Sequence, residues 1–125
     1  VTSADEILRL QGLLDDADDL LASGLPATQG LWPRAAAFLI RLALEQAIDN
    51  FWTAKARQMR ECSRHAQLIC LRSYLDKATA GRVTELWESL SGACHYHTYE
   101  LAPTAAELRS WHNEAKELVA ALATQ

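Results

Sequence analysis

Residues 34–61 contain neither glycine nor proline, and two apolar rows run side by side along them: Phe38, Leu42 and Trp52 on one, Leu39, Ala43, Ala47, Phe51 and Ala54 on the other. A helix that is apolar over two adjoining rows is wetted on a narrow face only, so it belongs in the middle of a domain with other elements packed around it. Pro33 suits the first helical position, where no N–H is needed for an intrahelical bond.

The remaining segments supply that cover. Ser3 and Glu6 have the spacing of a capping box, after which Ile7, Leu10, Leu14, Ala17 and Leu21 recur at helical intervals as far as Gly24, a natural helix terminator. Residues 25–33 hold two of the three prolines and form the main loop. Ser63 can cap a third helix through Leu68, Leu71, Tyr74 and Leu75 to about Lys77. Gly81 then lies near the start of a fourth that carries Val83, Leu86, Trp87, Leu90 and Cys94. Thr104 with Glu107 repeats the capping-box signature and opens a fifth helix, striped by Leu108, Trp111, Ala115, Leu118 and Leu122. No segment alternates with the period of a strand. The expectation is an all-α, antiparallel bundle of four to five helices over residues 1–125 as a single domain, with Leu39, Leu42, Phe51, Leu71, Leu86, Leu90, Trp111 and Leu118 in its core.

At 125 residues, half of them apolar, the chain can bury one core without staples. Its net charge of −4 and pI near 5.5 argue against non-specific duplex DNA binding, so any RNA surface has to be a local basic patch. The run Asp15, Asp16, Asp18, Asp19 reads as a solvated helix face, because it lacks the loop spacing of a calcium site. Cys62, Cys70 and Cys94 are an odd number on predicted helices with no CxxC pair, which is the pattern of reduced thiols in a cytoplasmic protein. No run is long and apolar enough for a membrane span, and none has the layout of a signal peptide. Val1 in place of Met is expected of a fragment or a processed start. The excess of alanine, and of Arg over Lys, points to a GC-rich bacterial gene.

Chemistry-bearing residues concentrate in residues 86–108, where Cys94, His95, Tyr96, His97, Tyr99 and Glu100 lie close together. On a helix, residues two apart diverge by about 200°, so His95 and His97 cannot share an ion there. Cys94 and His97 share a face but lack further ligands, and no metal or cofactor is expected. Ser91 with His95, and Cys94 with His97, have the spacing of nucleophile–base pairs without the strained turn that presents a nucleophile. Arg41 and Glu45, at i,i+4 in an apolar stretch, read either as an intrahelical ion pair or as the lining of a cleft shared with the histidine segment. The four tryptophans are spread one per element, as core and interface anchors are.

The layout of Arg41-Leu-Ala-Leu-Glu45, then Asp49-Asn50-Phe51-Trp52, then the late LSxxCHxH run resembles a small bacterial member of the HEPN superfamily over residues 32–122. That resemblance implies an all-α domain that pairs with a second copy. In many members it also implies a metal-independent RNase of toxin or antiviral systems, in which an Arg-x4-6-His motif promotes attack of a 2′-hydroxyl on the phosphodiester. Here the positions upstream of His95 and His97 are Glu88, Ser89, Leu90, Ser91 and Gly92, none of them arginine. The formal match from Arg60 to His65 falls at the end of the central segment instead of before the last helix.

Two readings follow. The first is a non-catalytic or regulatory HEPN-like module, a homodimer that binds a partner protein or a nucleotide-like ligand in a bacterial defence or toxin–antitoxin setting, with Arg41, Glu45, Ser91, Tyr96 and Tyr99 as ligand contacts. The alternative is a metal-independent RNase with His95 or His97 as the acid/base.

Overall fold

The computed structural model describes residues 3–23, 31–95 and 101–125. Among these residues five α-helices form the fold: α1 (Ala4–Ser23), α2 (Trp32–Lys55), α3 (Arg64–Cys70), α4 (Lys77–Cys94) and α5 (Ala105–Ala123). Among the described residues there is no strand, and no helix is long and apolar enough to cross a membrane.

The capping signals act as their chemistry dictates. Ser3 and Glu6 bond reciprocally, as do Thr104 and Glu107, and the Ser63 hydroxyl accepts from the Ala66 N–H. α2 is central, packing against α1, α4 and α5. It buries Ile40, Ala43, Leu44, Ala47, Ile48, Phe51 and Trp52 among Leu10, Leu14 and Ala17 of α1, Val83, Leu86 and Leu90 of α4, and Leu118 and Leu122 of α5. Polar ties show that α5 runs antiparallel to both α1 and α4. His112 Nε2 lies 2.8 Å from the Leu14 carbonyl oxygen while Arg109 meets Asp18, and Arg82 near the start of α4 bridges Glu114 and Glu117 late in α5.

The structure corrects the sequence reading in four places. The central helix stops at Lys55 instead of near Glu61: Ala56 is extended (φ −159°, ψ 85°) and residues 57–61 form a 3-10 turn with no buried residue. A helix continued past Lys55 would have no apolar face to bury. The third helix stops at Cys70 and tightens into a 3-10 turn at Leu71–Ser73. Lys77 begins α4, because the Asp76 carboxylate caps it through the Thr79 N–H. Within the two apolar rows Phe38 is 54 % exposed and Ala54 is also exposed, and of the residues expected in the core Leu39, Leu42 and Trp111 are only partly buried. Lastly, Cys62 lies in the bend before α3, not on a helix, and His95 is the extended residue that ends α4 (φ −80°, ψ 125°).

Candidate functional site

Arg41, Glu45 and Asp49 succeed one another at four-residue intervals and so line one face of α2. The break at Ala56 turns the chain back along that face, bringing Arg60 from the 3-10 turn and Arg64 and Gln67 from α3 opposite it. Trp87 of α4 closes the side. These side chains, with Cys62, enclose an open cleft of about 410 Å³.

Buried Gln67 organises the cleft. Its amide donates to the carbonyls of Met59 (2.8 Å) and Cys62 (3.3 Å), which pins the turn, and its Oε1 accepts from Arg64 Nη1 at 2.7 Å. The same Nη1 lies 3.1 Å from Asp49 Oδ1. Arg41 Nε is 3.5 Å from Glu45 Oε1, the intrahelical pair that the spacing implies. Both guanidinium carbons lie over the Trp87 ring, at 4.8 Å for Arg41 and 5.4 Å for Arg64 from its centroid. The negative face of the indole thus steadies two like charges that would otherwise repel.

Arg60 donates from Nη1 to Thr53 Oγ1 at 3.3 Å and has no carboxylate within ion-pair distance among the described residues. Three guanidinium groups therefore face two carboxylates, leaving an excess of positive charge. Each guanidinium carries five N–H donors in a rigid fork. Among the described residues the hydrogen bonds of Arg64, a residue that lines the cleft, all leave from Nη1, so its Nε and Nη2 keep their donors. Donors of this kind match the paired oxygens of a phosphate or carboxylate.

A second recess of about 300 Å³ lies across Trp87, lined by His65, Leu68, Ile69, Arg72, Thr84 and Glu88. It combines an apolar floor with one guanidinium and one imidazole.

The histidine segment is built differently. Arg34, near the start of α2, donates from Nη1 to the carbonyl oxygens of Ala93 and His95, both at 3.1 Å, and so satisfies the C-terminal end of α4. His95 is exposed. The Ser91 hydroxyl is buried without a hydrogen-bond partner among the described residues, so it makes no nucleophile–base pair with His95. Burial pushes the Cys94 thiol above its ordinary range, against the nearby positive charge of Arg41 that draws it down. Tyr96, His97, Tyr99 and Glu100 lie outside the described residues. Among the described residues no three metal-ligating side chains converge.

Of the residues expected to contact a ligand, Arg41 and Glu45 come together in one cleft, whereas Ser91 faces away from any polar partner. Asp49, Arg60, Arg64, Gln67 and Trp87 complete the site without having been singled out for it. The i,i+4 continuation from Glu45 to Asp49 and from Arg60 to Arg64 was the signal available for them. No family model matches the chain, and no curated protein and no solved structure matches it.

Proposed function

We propose that this chain is a non-catalytic, HEPN-like helical module that binds a nucleotide-like, phosphate-bearing ligand in the cleft between α2, α3 and α4. The observation that carries this reading is the grouping of Arg41, Arg60 and Arg64 around Trp87 with guanidinium donors left over. Phosphate oxygens accept from Arg60 and Arg64, while Asp49 and Gln67 fix the Arg64 guanidinium where it lies over the Trp87 ring. Glu45 and Asp49 offer acceptors to the amino groups of a base. The setting suggested by the HEPN resemblance is bacterial, cytoplasmic and linked to defence or toxin–antitoxin pairs, with a protein partner as a further candidate and the chain acting as a homodimer.

Calorimetric titration with AMP, UMP and ADP, beside the matching nucleosides, tests the reading. Binding of the nucleotides but not the nucleosides is expected. Each of Arg60→Gln and Arg64→Gln should weaken it by about tenfold or more, the worth of a charge-assisted hydrogen bond. Equal binding of nucleosides, or unchanged affinity in both variants, overturns it.

A second reading, a metal-independent RNase, is favoured by the Arg34 guanidinium, which sits beside the His95 main chain in an arrangement the sequence spacing does not suggest. Incubation with single-stranded RNA and tRNA under chelation decides it. Cleavage that His95→Ala or His97→Ala abolishes would replace the binding module with an enzyme.

A further inference from the structure

Two adjoining faces of α3 look onto Trp87. Arg64 and Gln67 line the arginine cleft on one of them. On the other, His65, Leu68 and Ile69, continued by Arg72 in the 3-10 turn, follow at intervals of three, one and three residues and line the recess of about 300 Å³ with Thr84 and Glu88 of α4. Trp87 is a wall of both spaces, so the recess adjoins the cleft instead of opening elsewhere on the molecule. Its volume is at the low end of the range for small-molecule sites.

The two spaces are furnished differently. Leu68 is buried and Ile69 is 50 % exposed, which gives the recess an apolar floor that the cleft lacks. Among the described residues the side chains of His65, Arg72 and Glu88 make no hydrogen bond or ion pair. Arg72 and Glu88 share the recess without meeting, so the guanidinium keeps its charge for another partner. Thr84 donates to the Ala80 carbonyl, which leaves the lone pairs of its hydroxyl as acceptors beside the Glu88 carboxylate. An apolar floor, one cation and two acceptors suit a nucleoside unit: a planar base on the floor, a phosphate on the cation, and amino or hydroxyl donors for the acceptors.

We infer that the ligand of the cleft is a 5′-phosphorylated dinucleotide whose two units straddle Trp87. Its terminal phosphate lies on Arg60 and Arg64, its linking phosphate on Arg72 and its second base on Leu68 and Ile69, with Thr84 and Glu88 accepting from the second unit. The inference rests on the proposed nucleotide-binding cleft and adds a second unit with its own subsite. A mononucleotide has no group to place beyond the indole. In a nucleoside diphosphate the two phosphates are joined directly and stay together on one side of it.

Calorimetric titration with AMP, ADP, adenosine 3′,5′-bisphosphate and the dinucleotide pApA tests it, with circular dichroism to confirm that each variant folds. The bisphosphate, whose 3′-phosphate stands for the linking one, should bind about tenfold or more tighter than ADP, the worth of a charge-assisted hydrogen bond. ADP carries as many phosphates, so total charge does not account for such a gain. pApA should bind tighter still. Arg72→Gln should remove the advantage of both ligands and leave AMP unchanged, and Ile69→Ser should weaken pApA without weakening the bisphosphate. Nucleotide binding that depends on Arg60 and Arg64, with no gain for the bisphosphate and pApA over ADP, overturns the second subsite and leaves the cleft. So does a gain that survives Arg72→Gln, or a pApA affinity indifferent to Ile69→Ser. Failure of all four ligands to bind overturns the cleft and its extension together.

Discussion

Arg34 donates to the main-chain oxygen of His95 at 3.1 Å, so a charge from the start of α2 closes the end of α4 sixty-one residues away. A cation at a helix C-terminus opposes the partial negative charge of its free carbonyls. Arg34→Ala should therefore fray the last turn of α4: amide hydrogen exchange should quicken there while the amides around Leu44 and Leu86 keep their protection. Uniform loss of protection would mean that Arg34 supports the whole bundle instead.

Gln67 is the polar keystone of the cleft, and Gln67→Leu should cost about 1–3 kcal/mol, because the Met59 carbonyl and the Arg64 guanidinium each lose a bond that apolar carbon cannot replace. Urea denaturation measures this. The same change should loosen the turn at residues 57–61 and lower nucleotide affinity.

Leu90 is fully buried between α4 and α2, and Leu90→Ala should cost about 2–5 kcal/mol, by lost transfer energy and the cavity left behind. A cost below this, from urea unfolding midpoints at constant slope, would show that the site collapses around the smaller side chain.

Acid should weaken the fold through two aspartates. The hydrogen bond from Arg109 holds the Asp18 carboxyl below the usual aspartate range, and the Thr79 side chain and main chain do the same for Asp76 at the start of α4. An unfolded Asp titrates near 3.9, so below about pH 5 the unfolded chain takes up more protons than the folded one and stability falls with pH. Each carboxylate's contribution is complete above that range and disappears as pH drops through the folded value. The stability gap between wild type and Asp18→Asn should accordingly shrink between pH 5 and pH 3 (roughly the window set by the unfolded value), and a gap that stays constant would dismiss the Arg109 contact as an energetic one.

Thiol chemistry should separate the cysteines. Cys62 is exposed in the bend before α3, whereas burial pushes the Cys94 thiol up and keeps it protonated at neutral pH. Since the thiolate is the reacting form, iodoacetamide should label Cys62 well before Cys94 in peptide maps. Equal rates would show that the last turn of α4 opens readily.

Which parts of this molecule could be read in advance follows from where the controlling interaction lies. Ser3 with Glu6, Ser63 and Thr104 with Glu107 act on residues within three positions of themselves, so their helix starts were legible in the sequence. The end of α2 was not. Residues 55–61 have no breaker, and the extended Ala56 is held by a turn that Gln67 pins from α3. The cleft inherits this blindness. Arg41 and Glu45 stood out because they interrupt an apolar row, but Arg60 and Arg64 join them only once the chain reverses at Ala56. Trp87, expected among core anchors, is half-buried beneath two guanidinium groups for the same reason.

Charge is unevenly shared among the elements. Residues 3–23 hold six carboxylates and one arginine, whereas residues 55–72 hold five basic side chains and one glutamate. A molecule polarised in this way turns before it touches: an anion diffusing in from any side is drawn toward the α2–α3 connection and away from α1. Association with a phosphate-bearing ligand should therefore be fast and slow steeply as salt is added, while dissociation, set by the short-range bonds of the arginines, should hardly change.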